Sequence, residues 1–356
     1  MNSKLLIAAF FLMIACSSTT FAQDSSASQK KIAISGFADF YYSKNFSTPD
    51  SRTNKFRNFD IAENQFTLGL AELTFQQAAA PVGFRIDADF GAVNDIVQTG
   101  NGGTSNILQQ AYLTTVVPVG NGLTVDIGKF VTHMGYEVIE AKDNANYSRS
   151  LLFAWAIPYF HVGARVSYPV LSNLTLTAHL VNGWNNIVDN NSKKSFGLTA
   201  NYALSSSTSI IVNVMDGNEQ PDTLSFGKKD VYDIVVTHQL SENVALGLNF
   251  DYGDERLSNG LATWKGEALY GKYTISPKSA IALRAEMFSD PNGYATGVAQ
   301  DLNEVTATYE YKFAEQLLVR AEFRHDFSNQ TVFDKKSTLN AEKNQDTIVI
   351  GTIITF

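Results

Sequence analysis

The sequence predicts an all-β protein, an antiparallel up-and-down β-barrel of about sixteen strands that crosses a membrane. Three observations predict it. Segments of about ten residues alternate apolar with polar side chains along nearly the whole chain, which is the period of a β-strand. Short turns and long polar connections follow one another between these segments. The chain also ends on an alternating apolar strand that closes with an aromatic residue, Phe356.

The N-terminus, residues 1–22, is typical of a secretory signal peptide. A basic residue, a short apolar stretch and small residues before the predicted cut after Ala22 make up this pattern. Lipidation at Cys16, as in a lipoprotein, is the alternative. Residues 23–30 then form a polar lead-in, and residues 31–356 form the barrel domain.

The alternation defines sixteen candidate strands. Their approximate bounds are 31–42, 65–77, 82–90, 107–117, 123–131, 159–169, 174–182, 195–204, 208–215, 230–240, 243–253, 264–275, 279–288, 304–313, 316–327 and 346–356. In 82–90, for example, Phe84 and Ile86 share one face while Arg85 and Asp87 share the other. Two segments are ambiguous in face, 65–77 and 264–275, because their apolar positions do not keep one parity.

The connections between these strands alternate in length. Short turns rich in Gly, Pro, Ser and Asn lie near 79–81, 119–122, 171–173, 205–207, 241–243, 276–278 and 314–315. The longer polar connections lie near 43–64, 93–106, 132–158, 183–194, 216–229, 254–263, 289–302 and 328–345. Short turns at one end and long loops at the other are typical of an outer-membrane barrel, with the turns periplasmic and the loops extracellular. A soluble β-sandwich alternates similarly, but its strands usually run about five or six residues.

Charged side chains share one face of most predicted strands, and apolar side chains share the other. A charge on the lipid face near the bilayer midplane costs about 2–4 kcal/mol, so the charged face is expected to turn toward the lumen. The predicted lumen-lining residues are Arg85, Asp87, Asp89, Asp126, Arg165, Arg284, Glu286, Arg320, Glu322, Arg324 and Asp326.

The longest connection, 132–158, combines charged residues with the apolar run 151–157. Because an exposed apolar run favours aggregation, this segment could pack against the barrel or fold inward as a constriction; an ordinary surface loop is the alternative. Its charged candidates for a constriction are Glu137, Glu140, Asp143 and Arg149. Carboxylates at a constriction stabilise cations in transit, so we expect a mild cation preference if the loop folds inward.

Composition and motifs exclude several function classes. Lys and Arg total 27 against 35 Asp and Glu, a net charge of −8, which argues against a nucleic-acid partner. The five histidines lack metal-ligand spacing, and no Gly-x-Ser-x-Gly motif occurs. The sequence therefore predicts no catalytic residue, no metal site and no cofactor. A barrel enzyme that acts on lipid or peptide at the outer leaflet stays an alternative, because such enzymes seldom carry local motifs.

Five groups of short motifs carry a family resemblance. They are Ser35–Tyr42, Asp126–Phe130 with Gly135–Glu137, Asn146–Leu152 with Pro158 and Tyr159, Gly163–Arg165, and Leu180–Trp184. These stretches, densest from 31 to 205, resemble the OmpL-like β-barrel porins of Gram-negative bacteria, including Bacteroidota. The resemblance implies an outer-membrane porin for passive diffusion of small hydrophilic solutes or ions, and it transfers no catalytic residue. A plugged receptor or structural barrel is a further alternative.

The C-terminal strand indicates a partner. Ile348, Ile350, Ile354 and the terminal Phe356 share one face, and this pattern resembles the signal by which the outer-membrane assembly machinery recognises its clients. The expected partners are therefore that machinery, outer-membrane lipid and small hydrophilic solutes. The sequence leaves open whether the chain forms a homo-oligomer.

Overall fold

The computed structural model describes residues 31–101 and 104–356. The predicted signal peptide 1–22, with Cys16, and the lead-in 23–30 lie outside the described residues. Sixteen strands form a closed antiparallel barrel, which confirms the predicted fold class. They are β1 (Ala33–Asn45), β2 (Phe66–Gln77), β3 (Val82–Phe90), β4 (Leu108–Val117), β5 (Leu123–Val131), β6 (Phe160–Leu171), β7 (Leu174–Val181), β8 (Ser195–Ser205), β9 (Thr208–Asn218), β10 (Lys228–Ser241), β11 (Val244–Leu257), β12 (Gly260–Ser276), β13 (Ser279–Asp290), β14 (Gln300–Ala314), β15 (Leu317–Ser328) and β18 (Asn344–Thr355).

The remaining elements are short and lie in the connections. A two-stranded hairpin, β16 (Phe333–Lys335) with β17 (Thr338–Glu342), occupies the last long connection. The α-helices α1 (Ala92–Val97) and α2 (Leu151–Trp155) follow β3 and β5, and 3₁₀ turns cover Thr104–Ile107 and Ala141–Asp143. Among the described residues no helix has the length and apolarity needed to cross a membrane.

The barrel closes between the first and last strands. β1 pairs with β18 in a continuous register from Phe37↔Thr355 to Asn45↔Thr347, and each other barrel strand pairs with its neighbours along the chain. On the outer surface apolar side chains are exposed, such as Leu269, Leu283 and Val305. Polar side chains on the inward face are largely buried. Apolar groups outside and polar groups inside are what a barrel surrounded by lipid requires.

A β-bulge explains the ambiguous face of segment 65–77. Ala38 of β1 pairs with Ala71, but Phe40 pairs with Leu68, so β2 contains one extra residue at this point. The extra residue shifts the parity: Leu68 faces outward before the bulge, and Leu73 faces outward after it. The apolar pattern of the sequence therefore changes phase because the strand itself does.

One predicted connection is wrong. The sequence predicted a long polar connection at 254–263, but β11 and β12 continue to a tight turn in which Leu257 pairs with Gly260. The polar side chains there sit on strands rather than in a loop. Gly260 has a positive φ of 134°, a conformation that glycine adopts without strain, so it suits the tight turn. The other long connections lie together at this end of the barrel, which we call the long-loop end; the opposite end is the short-turn end.

Candidate functional site

The segment 132–158 lies inside the barrel. Glu322 on β15 accepts hydrogen bonds from the backbone N–H groups of Tyr147 and Ser148, at 2.6 and 2.9 Å. The phenol of Tyr147 donates to Asp39 on β1 at 2.6 Å. Because Glu322 and Asp39 face the lumen on either side of β18, these bonds hold the segment against the wall where the barrel closes.

A second wall carboxylate holds the start of helix α2. Glu286 on β13 accepts from the backbone N–H groups of Leu151 and Leu152, at 2.6 and 3.2 Å. Ser150 caps the same helix by accepting from the N–H of Phe153 at 3.0 Å. The first N–H groups of a helix have no partner within it, so the carboxylate and the cap together satisfy groups that would otherwise be buried without one.

Three wall arginines bind the carbonyl groups of the same segment. Arg284, Arg320 and Arg324 are each almost completely buried. They donate to the backbone oxygens of Ser148, Ala141 and Arg149 at 2.7, 2.7 and 2.6 Å, respectively. The segment covers these side chains, so they are engaged in holding it.

Buried ion pairs extend this network. Arg284 contacts Glu137 of the segment at 2.7 Å and Glu304 on β14 at 2.6 Å. Arg324 contacts Asp326 at 2.7 Å, and Asp326 contacts Arg57, in the 46–65 connection, also at 2.7 Å. Removing one member of such a network leaves a buried charge without its partner, which is strongly destabilising. The network therefore ties two connections to one wall.

The four predicted constriction residues differ in exposure. Glu137, Glu140 and Arg149 are buried, whereas Asp143 is exposed and pairs with Lys142. Burial raises the pKa of the Glu140 carboxyl and lowers the pKa of the Arg149 guanidinium. Because Glu137 and Glu140 are covered, they lack the contact with lumen water on which the expected cation preference depends.

An apolar cluster lies inside the barrel at the long-loop end. Leu151 and Leu152 of α2 are almost completely buried. The ring of Phe153 lies edge-on to Phe59 of the 46–65 connection, with centroids 5.7 Å apart. Val97 of α1 belongs to the same cluster. The internal segments therefore form an apolar core within the barrel.

Toward the short-turn end, ion pairs on the inner wall leave their cations partly exposed. The pairs are Arg85–Asp87, Arg165–Asp126 and Lys272–Glu310, with N–O distances of 2.8, 2.7 and 3.2 Å. The exposed fractions are 31, 22 and 35% for the three cations and 0, 10 and 17% for their carboxylates. Sequence reasoning missed Lys272, because it lies on the segment whose face was ambiguous. In each of these three pairs, the cation is therefore more exposed than its carboxylate.

Some lumen carboxylates lie directly opposite each other. Glu72 pairs in register with Asp89, and Glu286 with Glu304. Arg284 and Arg324 lie beside the second pair. Like charges opposite each other on adjacent strands are destabilising unless something compensates them, as the arginines do for the second pair.

Among residues 31–101 and 104–356, no three His, Cys, Asp or Glu side chains are arranged to hold a metal ion.

Three histidines that are scattered in the sequence meet in the fold. The ring of His133 stacks on that of His179 with centroids 4.0 Å apart, and it lies 5.5 Å from the ring of His161. His161 and His179 come from β6 and β7, and His133 from the internal segment. Burial and the two neighbouring imidazoles lower the pKa of His133 well below its usual value, which favours the neutral ring.

The chain is similar to known porins. The family described as "Putative beta-barrel porin-2, OmpL-like" matches residues 31–356, and no curated protein matches the chain significantly. The anion-selective porin from Comamonas acidovorans has a TM-score of 0.64 and 8% identity, over 92% of this chain and 100% of that one. The outer membrane channel DcaP of Acinetobacter baumannii has a TM-score of 0.63 and 12% identity, over 92% of this chain and 97% of that one. A loop-deletion mutant of OmpT, an outer membrane protein of Vibrio cholerae, has a TM-score of 0.61 and 12% identity, over 92% of this chain and 100% of that one. These identities carry a likeness of fold alone.

Proposed function

Because the chain belongs to the OmpL-like β-barrel porin family, we propose that it is an outer-membrane pore through which small hydrophilic solutes cross by passive diffusion. The long-loop end then faces the exterior and the short-turn end the periplasm. The observation that carries the proposal is the segment 132–158, fixed by wall carboxylates and arginines inside a closed sixteen-strand barrel. A segment held there narrows an aqueous lumen without entering the sheet.

Polar side chains of the inner wall stay exposed toward the short-turn end. The anchors of the segment 132–158 lie on β13, β15 and β1, and on β11, where Asn249 accepts from the backbone N–H of Tyr136 at 3.1 Å. Toward the short-turn end, the inner face of β8 to β10 exposes neutral polar side chains, among them Asn201 and Thr237. Neutral polar groups and exposed cations suit a solute that keeps its hydration. Selection would then come from pore width and charge at the lumen surface.

Single-channel recording tests the pore. The purified barrel in planar bilayers is expected to give stepwise, ohmic conductance. A folded but electrically silent barrel would contradict the proposal and favour the second candidate, a plugged receptor or structural barrel. The apolar cluster of Leu151, Leu152, Phe153 and Phe59 is the observation that favours this second candidate.

We further propose a mild preference for anions. The partly exposed cations Arg85, Arg165 and Lys272 stabilise an anion in transit, while the carboxylates that pair with them are less exposed. Charges at a pore wall lie within the screening length of a passing ion, about 8 Å at physiological salt, whereas more distant charges are screened. This sign is opposite to the one that the acidic residues of segment 132–158 predicted from sequence.

Replacing Arg85, Arg165 and Lys272 together by glutamine should move the reversal potential under a KCl gradient toward cation selectivity. The substitution removes three positive charges from the lumen and leaves the carboxylates of the three pairs. Lys265→Gln, on the exposed outer face of β12, is the matched control and should change nothing. A wild-type reversal potential that favours potassium would contradict the proposed sign.

The other expectations follow from the same proposal. We infer that the chain is not an enzyme, and that it contacts outer-membrane lipid through its exposed apolar face. Recognition by the assembly machinery through the strand that ends at Phe356, and assembly into a homo-oligomer, stay predictions from the sequence and the family.

A further inference from the structure

All three tryptophans of the chain line one cavity at the long-loop end. The sequence contains three tryptophans in 356 residues, and Trp155, Trp184 and Trp264 come from α2, the 182–194 connection and β12. They surround a cavity of about 290 Å³ together with Tyr159 and Tyr294. Residues as far apart in the chain as Trp155 and Tyr294 are thus brought to one small volume.

The rings in this cavity have defined relative orientations. Trp264 stacks on Tyr294, with centroids 5.1 Å apart and planes at 18°. Trp184 meets Trp264 edge-on at 6.3 Å. Trp264 is fixed, since it is almost completely buried and donates from its indole N–H to the carbonyl of Ala156 at 3.1 Å. Trp155 and Trp184 are only half-buried, so they present ring surface to the cavity.

The single charged group on the cavity wall is compensated. The ammonium nitrogen of Lys229 lies 4.3 Å from the ring centre of Trp184 and 3.0 Å from a carboxylate oxygen of Glu255. Glu255 also accepts from Gln220 at 2.9 Å. An anionic ligand would compete with Glu255 for Lys229, and a cationic ligand would meet the ammonium. The electrostatics therefore favour a neutral ligand.

We infer that this cavity binds a neutral sugar ring, as the first contact of a saccharide that enters the pore. A pyranose combines apolar C–H faces, which pack on aromatic rings, with a polar rim, which suits the ammonium of Lys229 and the amide of Asn185. A volume of about 290 Å³ is at the lower end for ligand pockets and suits one ring rather than a chain. The inference rests on the proposed pore, for which it names the class of solute.

Tryptophan emission tests this directly, because every tryptophan of the chain lies at the cavity. The detergent-purified full chain is titrated with D-glucose, D-galactose and D-xylose, and with glucosamine and glucuronate as a cation and an anion of similar ring size. We expect a saturable emission change for at least one neutral sugar, with about tenfold weaker binding of both charged sugars. Linear responses to all neutral sugars, equal affinity for all five sugars, or saturable binding of benzyl alcohol in place of the sugars would overturn the inference.

Two variants separate binding from folding. Trp184→Ala should weaken neutral-sugar binding about tenfold, with the two remaining tryptophans still reporting. Tyr273→Ala, on the exposed outer face of β12, is the control and should bind as the parent does. Lys229→Met leaves the Glu255 carboxylate uncompensated and should shift the preference from neutral sugar to glucosamine. An unchanged order of affinities in a folded Lys229→Met protein would contradict the site, whatever Trp184→Ala does.

Failure of this site differs from failure of the pore. A barrel that conducts but shows no saturable response to sugar overturns the inference alone. A barrel that is silent in bilayers but binds sugar with the expected order overturns the pore and leaves only the sugar site.

Discussion

Alanine at both Glu286 and Glu322 should raise the single-channel conductance several-fold and make the current noisier. The two carboxylates accept four backbone N–H groups of the segment 132–158. Each hydrogen bond to a charged group contributes about 1.5–3 kcal/mol. Loss of all four therefore removes much of the free energy that holds the segment against the wall. The segment would then leave its position and widen the lumen.

The double variant needs a control that removes a carboxylate without touching the segment. Glu267→Ala fits, because Glu267 is exposed on the outer face of β12. It should keep the conductance of the parent. An unchanged current in a folded Glu286→Ala, Glu322→Ala protein would mean that the segment does not limit flow, whereas an increase from a silent parent would identify it as the plug.

Phe323→Arg should lower the free energy of unfolding by about 2–4 kcal/mol in lipid vesicles. Phe323 lies midway along β15, is 43% exposed and faces outward with other apolar side chains. Arginine there places a charge in the hydrocarbon, directly opposite Ala307 and Ile348 of the neighbouring strands. Urea unfolding of the reconstituted barrel, followed by intrinsic fluorescence, measures the loss.

The same substitution on the inner wall is the matched control. Asn201 on β8 is exposed toward the lumen, so Asn201→Arg should leave the unfolding free energy within about 0.5 kcal/mol of the parent. Equal stability of the Phe323→Arg and Asn201→Arg variants would contradict the assignment of the two faces.

The barrel was predictable because lipid allows few solutions. Strands that cross hydrocarbon must pair their backbone groups within a closed sheet, and their charged side chains must turn inward. An alternation of period two with charge on one face is therefore almost sufficient to predict the barrel. The sequence misled at 254–263, where polar residues suggested a loop. Strands of a barrel extend beyond the membrane into water, where polar side chains no longer indicate a turn.

The contents of the lumen were much less predictable. Nothing in the local sequence indicates that Arg284 and Arg320 bind backbone carbonyl groups that lie 136 and 179 positions earlier in the chain. The three tryptophans and the three histidines look scattered for the same reason. Which inward residues meet depends on strand register and loop path, and neither leaves a pattern in the sequence.

The position of the anchors also dictates an order of assembly. Tyr147 and Leu151 precede their wall partners, Glu322 and Glu286, by 175 and 135 residues. The segment 132–158 is therefore synthesised well before the strands that bind it. Internal packing of the segment is therefore complete only once β13 and β15 have joined the sheet, which makes it a late event in folding. A chain that lacks its last strands would lose the anchors of the internal segment as well as the pairing of β1 with β18 that closes the barrel.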